Sequence, residues 1–134
     1  MTQFLYVEDD PMSRQVLRIL LTKVMDYNEN DLTIFEDSAN FMERLRALPT
    51  PPDVIFLDVH IEPHDGFAML TMLRKDPAYC KVPVVAVTAG VMATDIERLK
   101  ESGFSGMIGK PIRTRTFPSL IQRILDGDPV WFAT

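Results

Sequence analysis

The chain has 134 residues, a formal net charge of −5, and 46 % hydrophobic against 25 % charged residues. That length supports one domain with a real core, and the composition excludes a disordered chain. The acidic balance argues against nucleic-acid binding, which needs clustered Lys and Arg. The one cysteine, Cys80, excludes an internal disulfide or a cysteine metal cluster.

No apolar run approaches the ~20 residues of a bilayer span, and the start, MTQFLYVEDD, lacks the basic region and cleavage site of a signal peptide. A cytoplasmic location and no membrane partner are therefore expected.

In chain order, strands are predicted at 4–7 (FLYV), 32–35 (LTIF), 54–57 (VIFL), 84–87 (VVAV) and 106–108 (GMI). These runs are continuously apolar, the pattern of strands covered on both faces. Helices are predicted between and after them, at about 11–26, 38–47, 65–75, 92–102 and 117–126. Asp10 followed by Pro11 reads as an N-cap with proline in the first turn. Met12, Val16, Ile19, Leu20 and Val24 give the first helix an apolar face expected to be buried. Gly103 and Gly127 fall where helices four and five should end. The stretch PTPP (49–52) reads as a loop into strand three.

Strict strand–helix alternation predicts an α/β fold, a five-stranded parallel sheet with helices on both faces. One unit is expected over 1–134, with its core at about 3–126 and a tail at 127–134. In such sheets, sites form beyond the carboxyl ends of the strands. Strand one is followed there by Glu8, Asp9 and Asp10, and strand three ends in Asp58. Strand four leads into Thr88-Ala89, and strand five into Gly109-Lys110-Pro111.

This set is poor for a bare phosphate, because acids replace the glycine-rich turn that would cradle one. A divalent cation reverses the sign. Glu8, Asp9 and Asp58 bring −3 and Lys110 +1, so Mg²⁺ neutralises the cluster through the oxygen ligands it prefers. Asp58 is then placed to act as a nucleophile toward a phosphoryl donor, with Thr88 and Lys110 as donors to its oxygens.

These residues resemble the response-regulator receiver domains of two-component signalling. YVEDDP is similar to the family's acidic pair after strand one, and FLDV with the later Asp65-Gly66 is similar to its phospho-acceptor segment. VVAVTA matches the hydroxyl position, and GKP matches the lysine with its proline. The resemblance covers about residues 3 to 126 and implies a flavodoxin-like, doubly wound sheet of order 2-1-3-4-5.

It further implies that Asp58 accepts a phosphoryl group from a histidine kinase or histidine phosphotransfer protein. Asp9, Asp58 and the His60 backbone carbonyl would bind Mg²⁺, with Glu8 acting through water. Thr88, Lys110 and the N–H groups of His60 and Ala89 would hold the phosphoryl oxygens. A cis Lys110–Pro111 bond is implied as well. Output would be by contact with a downstream protein, with a homodimer through helix four, strand five and helix five as one form of it. A stand-alone switch, not an enzyme acting on other molecules, is the expectation.

Three positions depart from the family pattern. Glu62 stands where a proline is usual, with Pro63 following; Met107 replaces a usual aromatic; and His60 occupies a position that tunes dephosphorylation in the family. Two alternatives remain at this level. One is an aspartyl-phosphate phosphatase, although His60 stands where its second acid should be. The other is a phosphate-independent scaffold. His60, Glu62, His64 and Asp65 lack the spacing of a helical zinc motif. Trp131 and Phe132 in the tail either fold back over apolar surface or contact a partner.

Overall fold

The computed structural model describes residues 2–89, 93–128 and 130–132. Met92, the predicted first residue of helix four, and tail residues 129, 133 and 134 lie outside the described residues.

Among the described residues, six strands form one sheet: β1 (Phe4–Val7), β2 (Leu32–Phe35), β3 (Val54–Asp58), β4 (Val84–Thr88), β5 (Gly106–Gly109) and β6 (Val130–Phe132). Their order is β2-β1-β3-β4-β5-β6, and every pair is parallel. The first five strands keep the expected order. The sixth lies beyond the expected five: Val130–Phe132 extends the sheet beside β5, with Met107 in register with Trp131, and Trp131 packs against the core as one of its two expected placements had it. Gly106 makes this approach possible, because a Cβ there would stand 2.6 Å from the Val130 carbonyl oxygen. The outer edge of β5 is therefore paired, and a homodimer across helix four, strand five and helix five would have to form over β6.

The helices are α1 (Pro11–Ile19), α2 (Phe41–Arg46), α3 (Gly66–Lys75), α4 (Ala93–Ser102) and α5 (Phe117–Leu125), with α1 continuing as a wider π turn over Leu20–Val24. Asp10 caps α1 by accepting from the Ser13 N–H at 3.0 Å. Gly103, just beyond α4, has φ +101°, the left-handed conformation in which a glycine ends a helix without strain. The second helix begins at Phe41, not 38. Ser38 is instead buried in the preceding loop, where its hydroxyl donates to the His64 carbonyl and accepts from the His64 N–H, both at 2.7 Å.

The alternating strand faces build two cores. Leu5, Val7, Ile55, Leu57 and Ala86 pack toward α2, α3 and α4. Phe4, Tyr6, Phe56, Val85 and Ile108 pack toward α1 and α5. The expected inner face of α1 needs correction. Leu17, Leu20 and Leu21 are buried, whereas Met12, Ile19 and Val24 are 75 %, 43 % and 46 % exposed. The apolar arc of this helix is wider than the strip the sheet can cover, so its border faces outward. Among the described residues, no helix is long and apolar enough to cross a membrane.

Candidate functional site

The chain runs from β1 outward to β2 and then back across β1 to β3, so the crevice between β1 and β3 is the sheet's switch point. Three side chains meet there for a simple reason of strand periodicity. Tyr6, Phe56 and Ile108 all face the α1/α5 core, and Glu8, Asp58 and Lys110 each follow one of them by two residues. They therefore emerge on the same face at the carboxyl end.

Carboxylate oxygens of Glu8, Asp9 and Asp58 lie within 4.8 Å of one another. Glu8 and Asp58 are buried and Asp9 is exposed at the mouth. Lys110 Nζ stands 2.5 Å from Glu8 Oε1 and 3.5 Å from Asp58 Oδ2. The His60 N–H donates to Asp58 Oδ1 at 3.1 Å. Burial, followed by the bond and charge of Glu8, pushes the Asp58 carboxyl up to about 7. Against its own burial, Glu8 is held below the ordinary carboxylate range by bonds to Asp58, Lys110 and Tyr6. The same two acids hold the Lys110 ammonium above its usual value despite burial.

Such a nest of hard oxygen donors, carrying one more negative charge than Mg²⁺ can balance without Lys110, fits that ion in both chemistry and charge. Glu8 is fully buried and accepts from the Tyr6 hydroxyl and the Lys110 ammonium.

Thr88 ends β4 and is buried, and its carbonyl accepts from the Lys110 N–H at 2.9 Å. Its residue lines a small cavity on the α4 side with His60, Phe67 and Arg98, whose guanidinium stacks 4.0 Å from the Phe67 ring centre. Ala89 lies on the other side, in an apolar groove with Met12, Val16, Lys110, Pro111 and Ile112. The Lys110–Pro111 bond is cis, as the resemblance implied; Glu62–Pro63 is cis too. Met107 is fully buried in the core.

Asp65-Gly66 has a local reason. Asp65 caps α3 through the Ala68 N–H at 2.8 Å, and the Gly66 N–H donates to the Val59 carbonyl at 3.0 Å. A Cβ on Gly66 would stand 2.9 Å from Val59 Cα and 3.0 Å from the Asp58 carbonyl oxygen. Glycine thus lets α3 start directly against the end of β3. Two residues of the site escaped the sequence reading. Ser38 ties down the loop after Asp58 and has no pattern that marks it. Tyr6 donates its hydroxyl to Glu8 Oε1 at 2.8 Å, and its signal was available as a polar tip inside an otherwise apolar run.

These features define a doubly wound α/β domain with an acidic, cation-compatible site at its switch point and a lysine across from the acids. The family model of the response regulator receiver domain matches residues 4–122, and the chain belongs to that family. It is 30 % identical to the polar-differentiation response regulator DivK of Brucella ovis, over 78 % of this chain and 94 % of that one. It is 28 % identical to stress response regulator protein 1 of Meyerozyma guilliermondii, over 81 % of this chain, and spans about half (49 %) of that protein's length. The fold superposes with a TM-score of 0.78 on the signal receiver domain of a signal transduction histidine kinase from Syntrophus aciditrophicus. That likeness carries 27 % identity and covers 95 % of this chain and 92 % of the other.

Proposed function

We propose that this chain is a phosphorylation-controlled signalling switch in which Asp58 accepts a phosphoryl group from a phosphohistidine donor. The observation that carries this reading is the position of Lys110, between Glu8 and Asp58 at 2.5 and 3.5 Å, at the edge of a three-carboxylate nest. A carboxylate oxygen of Asp58 attacks phosphorus, the bond from phosphorus to the donor's imidazole breaks, and that nitrogen keeps the electron pair and takes up a proton. Mg²⁺ held by Asp9, Asp58 and the His60 carbonyl, with Glu8 acting through water, would neutralise charge between nucleophile and phosphoryl group.

The chain's own groups account for the rest. Lys110 transfers its charge toward the new phosphoryl oxygens, and Thr88 with the N–H groups of His60 and Ala89 supplies further donors. The product is an acyl phosphate on the protein itself, so the chain catalyses only its own modification. The donor is a histidine kinase or histidine phosphotransfer protein, because its imidazole must reach Asp58 through the mouth of the site. The exposed Met12, with Val16, Pro111 and Ile112, gives the rim an apolar surface for such a protein. Output passes through contact with a downstream protein.

Incubation with acetyl phosphate and Mg²⁺ should add one phosphoryl group by intact mass, and Asp58→Asn should add none. Labelling of that variant at the wild-type rate would overturn the assignment.

A further inference from the structure

Tyr6 is fully buried in the second strand-face core, edge-on to the Phe56 ring. Phenylalanine would fill that place equally well, so packing does not explain the hydroxyl. What it does is bond to Glu8. Both Tyr6 Oη, at 2.8 Å, and Lys110 Nζ, at 2.5 Å, serve the same oxygen, Glu8 Oε1. The other oxygen, Oε2, accepts a long bond from the Asp10 N–H at 3.4 Å, and the carboxyl also bonds to Asp58. Tyr6 and Glu8 are two residues apart on one strand, so this pairing is built into β1 and is independent of any moving loop.

We propose that Tyr6 is a positioning residue that holds Glu8 aimed at the cation site while Lys110 leaves it. The inference rests on the reading of Asp58 as phosphoryl acceptor. A phosphoryl group on Asp58 would compete with Glu8 Oε1 for the Lys110 ammonium, which already stands 3.5 Å from Asp58. When its ammonium turns to the phosphoryl oxygens, Glu8 keeps a buried oxygen that must still be satisfied. Glutamate is also one methylene longer than aspartate, and without a fixed partner its carboxylate can rotate away from Asp9 and Asp58. The Tyr6 hydroxyl meets both needs. It stays on Oε1 throughout, which would keep the carboxylate turned toward Asp9 and Asp58, as an outer partner does for a metal ligand.

The test measures Mg²⁺ affinity by calorimetry, with no phosphoryl donor present, for wild type, Tyr6→Phe, Glu8→Gln and the double variant. Tyr6→Phe should weaken Mg²⁺ binding about tenfold, while in the Glu8→Gln background the same change should alter it less than about twofold, as for residues acting through one group. An unaltered affinity in a folded Tyr6→Phe protein would overturn the inference, as would an equal loss in both backgrounds. A measurement on wild type does not depend on the variants folding. The Tyr6 hydroxyl proton should stay protected from exchange in the NMR spectrum before and after Mg²⁺ and beryllofluoride are added. Its free exchange in the beryllofluoride-bound protein would overturn the inference alone. Wild type that binds neither Mg²⁺ nor beryllofluoride would instead overturn the reading of the site.

Discussion

Lys110 lies closer to Glu8 than to Asp58, 2.5 Å against 3.5 Å, and Glu8 is the more deeply buried of the two acids. The ammonium is thus anchored on the first acid and only leans toward the acceptor. Removing it leaves two buried carboxyls facing each other without a cation. Lys110→Met should cost about 3 kcal/mol of stability in EDTA, the scale of a broken buried ion pair. Urea unfolding with and without Mg²⁺ checks this. The added ion should recover part of the loss, and a change below about 0.5 kcal/mol, the size of an exposed pair, would contradict the anchoring.

Asp58 gives the chain a pH dependence whose sign is fixed by burial. In the fold its carboxyl is raised to about 7, above the ordinary carboxylate value. Between about pH 4 and 7 the folded protein therefore keeps a proton that the unfolded chain has lost. The stability tied to this group is complete below that window and fades as pH rises through it. Glu8, held low, acts in the opposite sense, and its contribution is lost only in more acidic solution. In EDTA, Asp58→Asn should therefore gain on wild type from near pH 5 to near pH 8, on the order of 2 kcal/mol. Thermal unfolding across that range measures it; a gap that does not vary with pH would count against it.

Gly66 places the start of α3 against the acceptor's own carbonyl. Gly66→Ala drives a methyl into backbone atoms that cannot yield without moving Asp58. A loss of about 2 kcal/mol is expected, together with slower labelling by acetyl phosphate. Denaturation and labelling rates on one preparation test both, and a wild-type labelling rate would show that the contact is relieved elsewhere.

The added strand can be read with the chain's one tryptophan, Trp131, which is half-buried and has the Lys100 ammonium 5.4 Å from its ring centre. Gly106→Ala should push β6 off the sheet, because its Cβ would meet the Val130 carbonyl oxygen. Trp131 emission should shift to longer wavelength while Asp58 labelling persists. Emission like that of wild type would mean that β6 can remain seated.

The first five strands were legible because each is a short, mostly apolar run without alternation, the pattern of strands covered on both faces. The gathering of Glu8, Asp9, Asp58, Thr88 and Lys110 was legible through order: each stands at or just past the end of a strand, where a parallel sheet gathers its polar residues. What the sequence hid depends on tertiary fit. β6 is three residues long, too short to show a period; its place depends on the space left by Gly106. The outward border of α1, with Met12 and Ile19 in solvent, depends on how much of a wide apolar arc the sheet covers. The bond from Tyr6 to Glu8 follows from two-residue spacing, but a tyrosine within FLYV reads first as core.

The central claim is that one carboxylate, Asp58, takes the phosphoryl group. Treating the acetyl phosphate-labelled, Mg²⁺-loaded protein with borohydride reduces an aspartyl phosphate to homoserine, and peptide mass mapping then locates it. The account predicts homoserine at position 58, appearing only when both acetyl phosphate and Mg²⁺ are supplied. Homoserine at another acid, or none in a protein that demonstrably binds Mg²⁺, would contradict it.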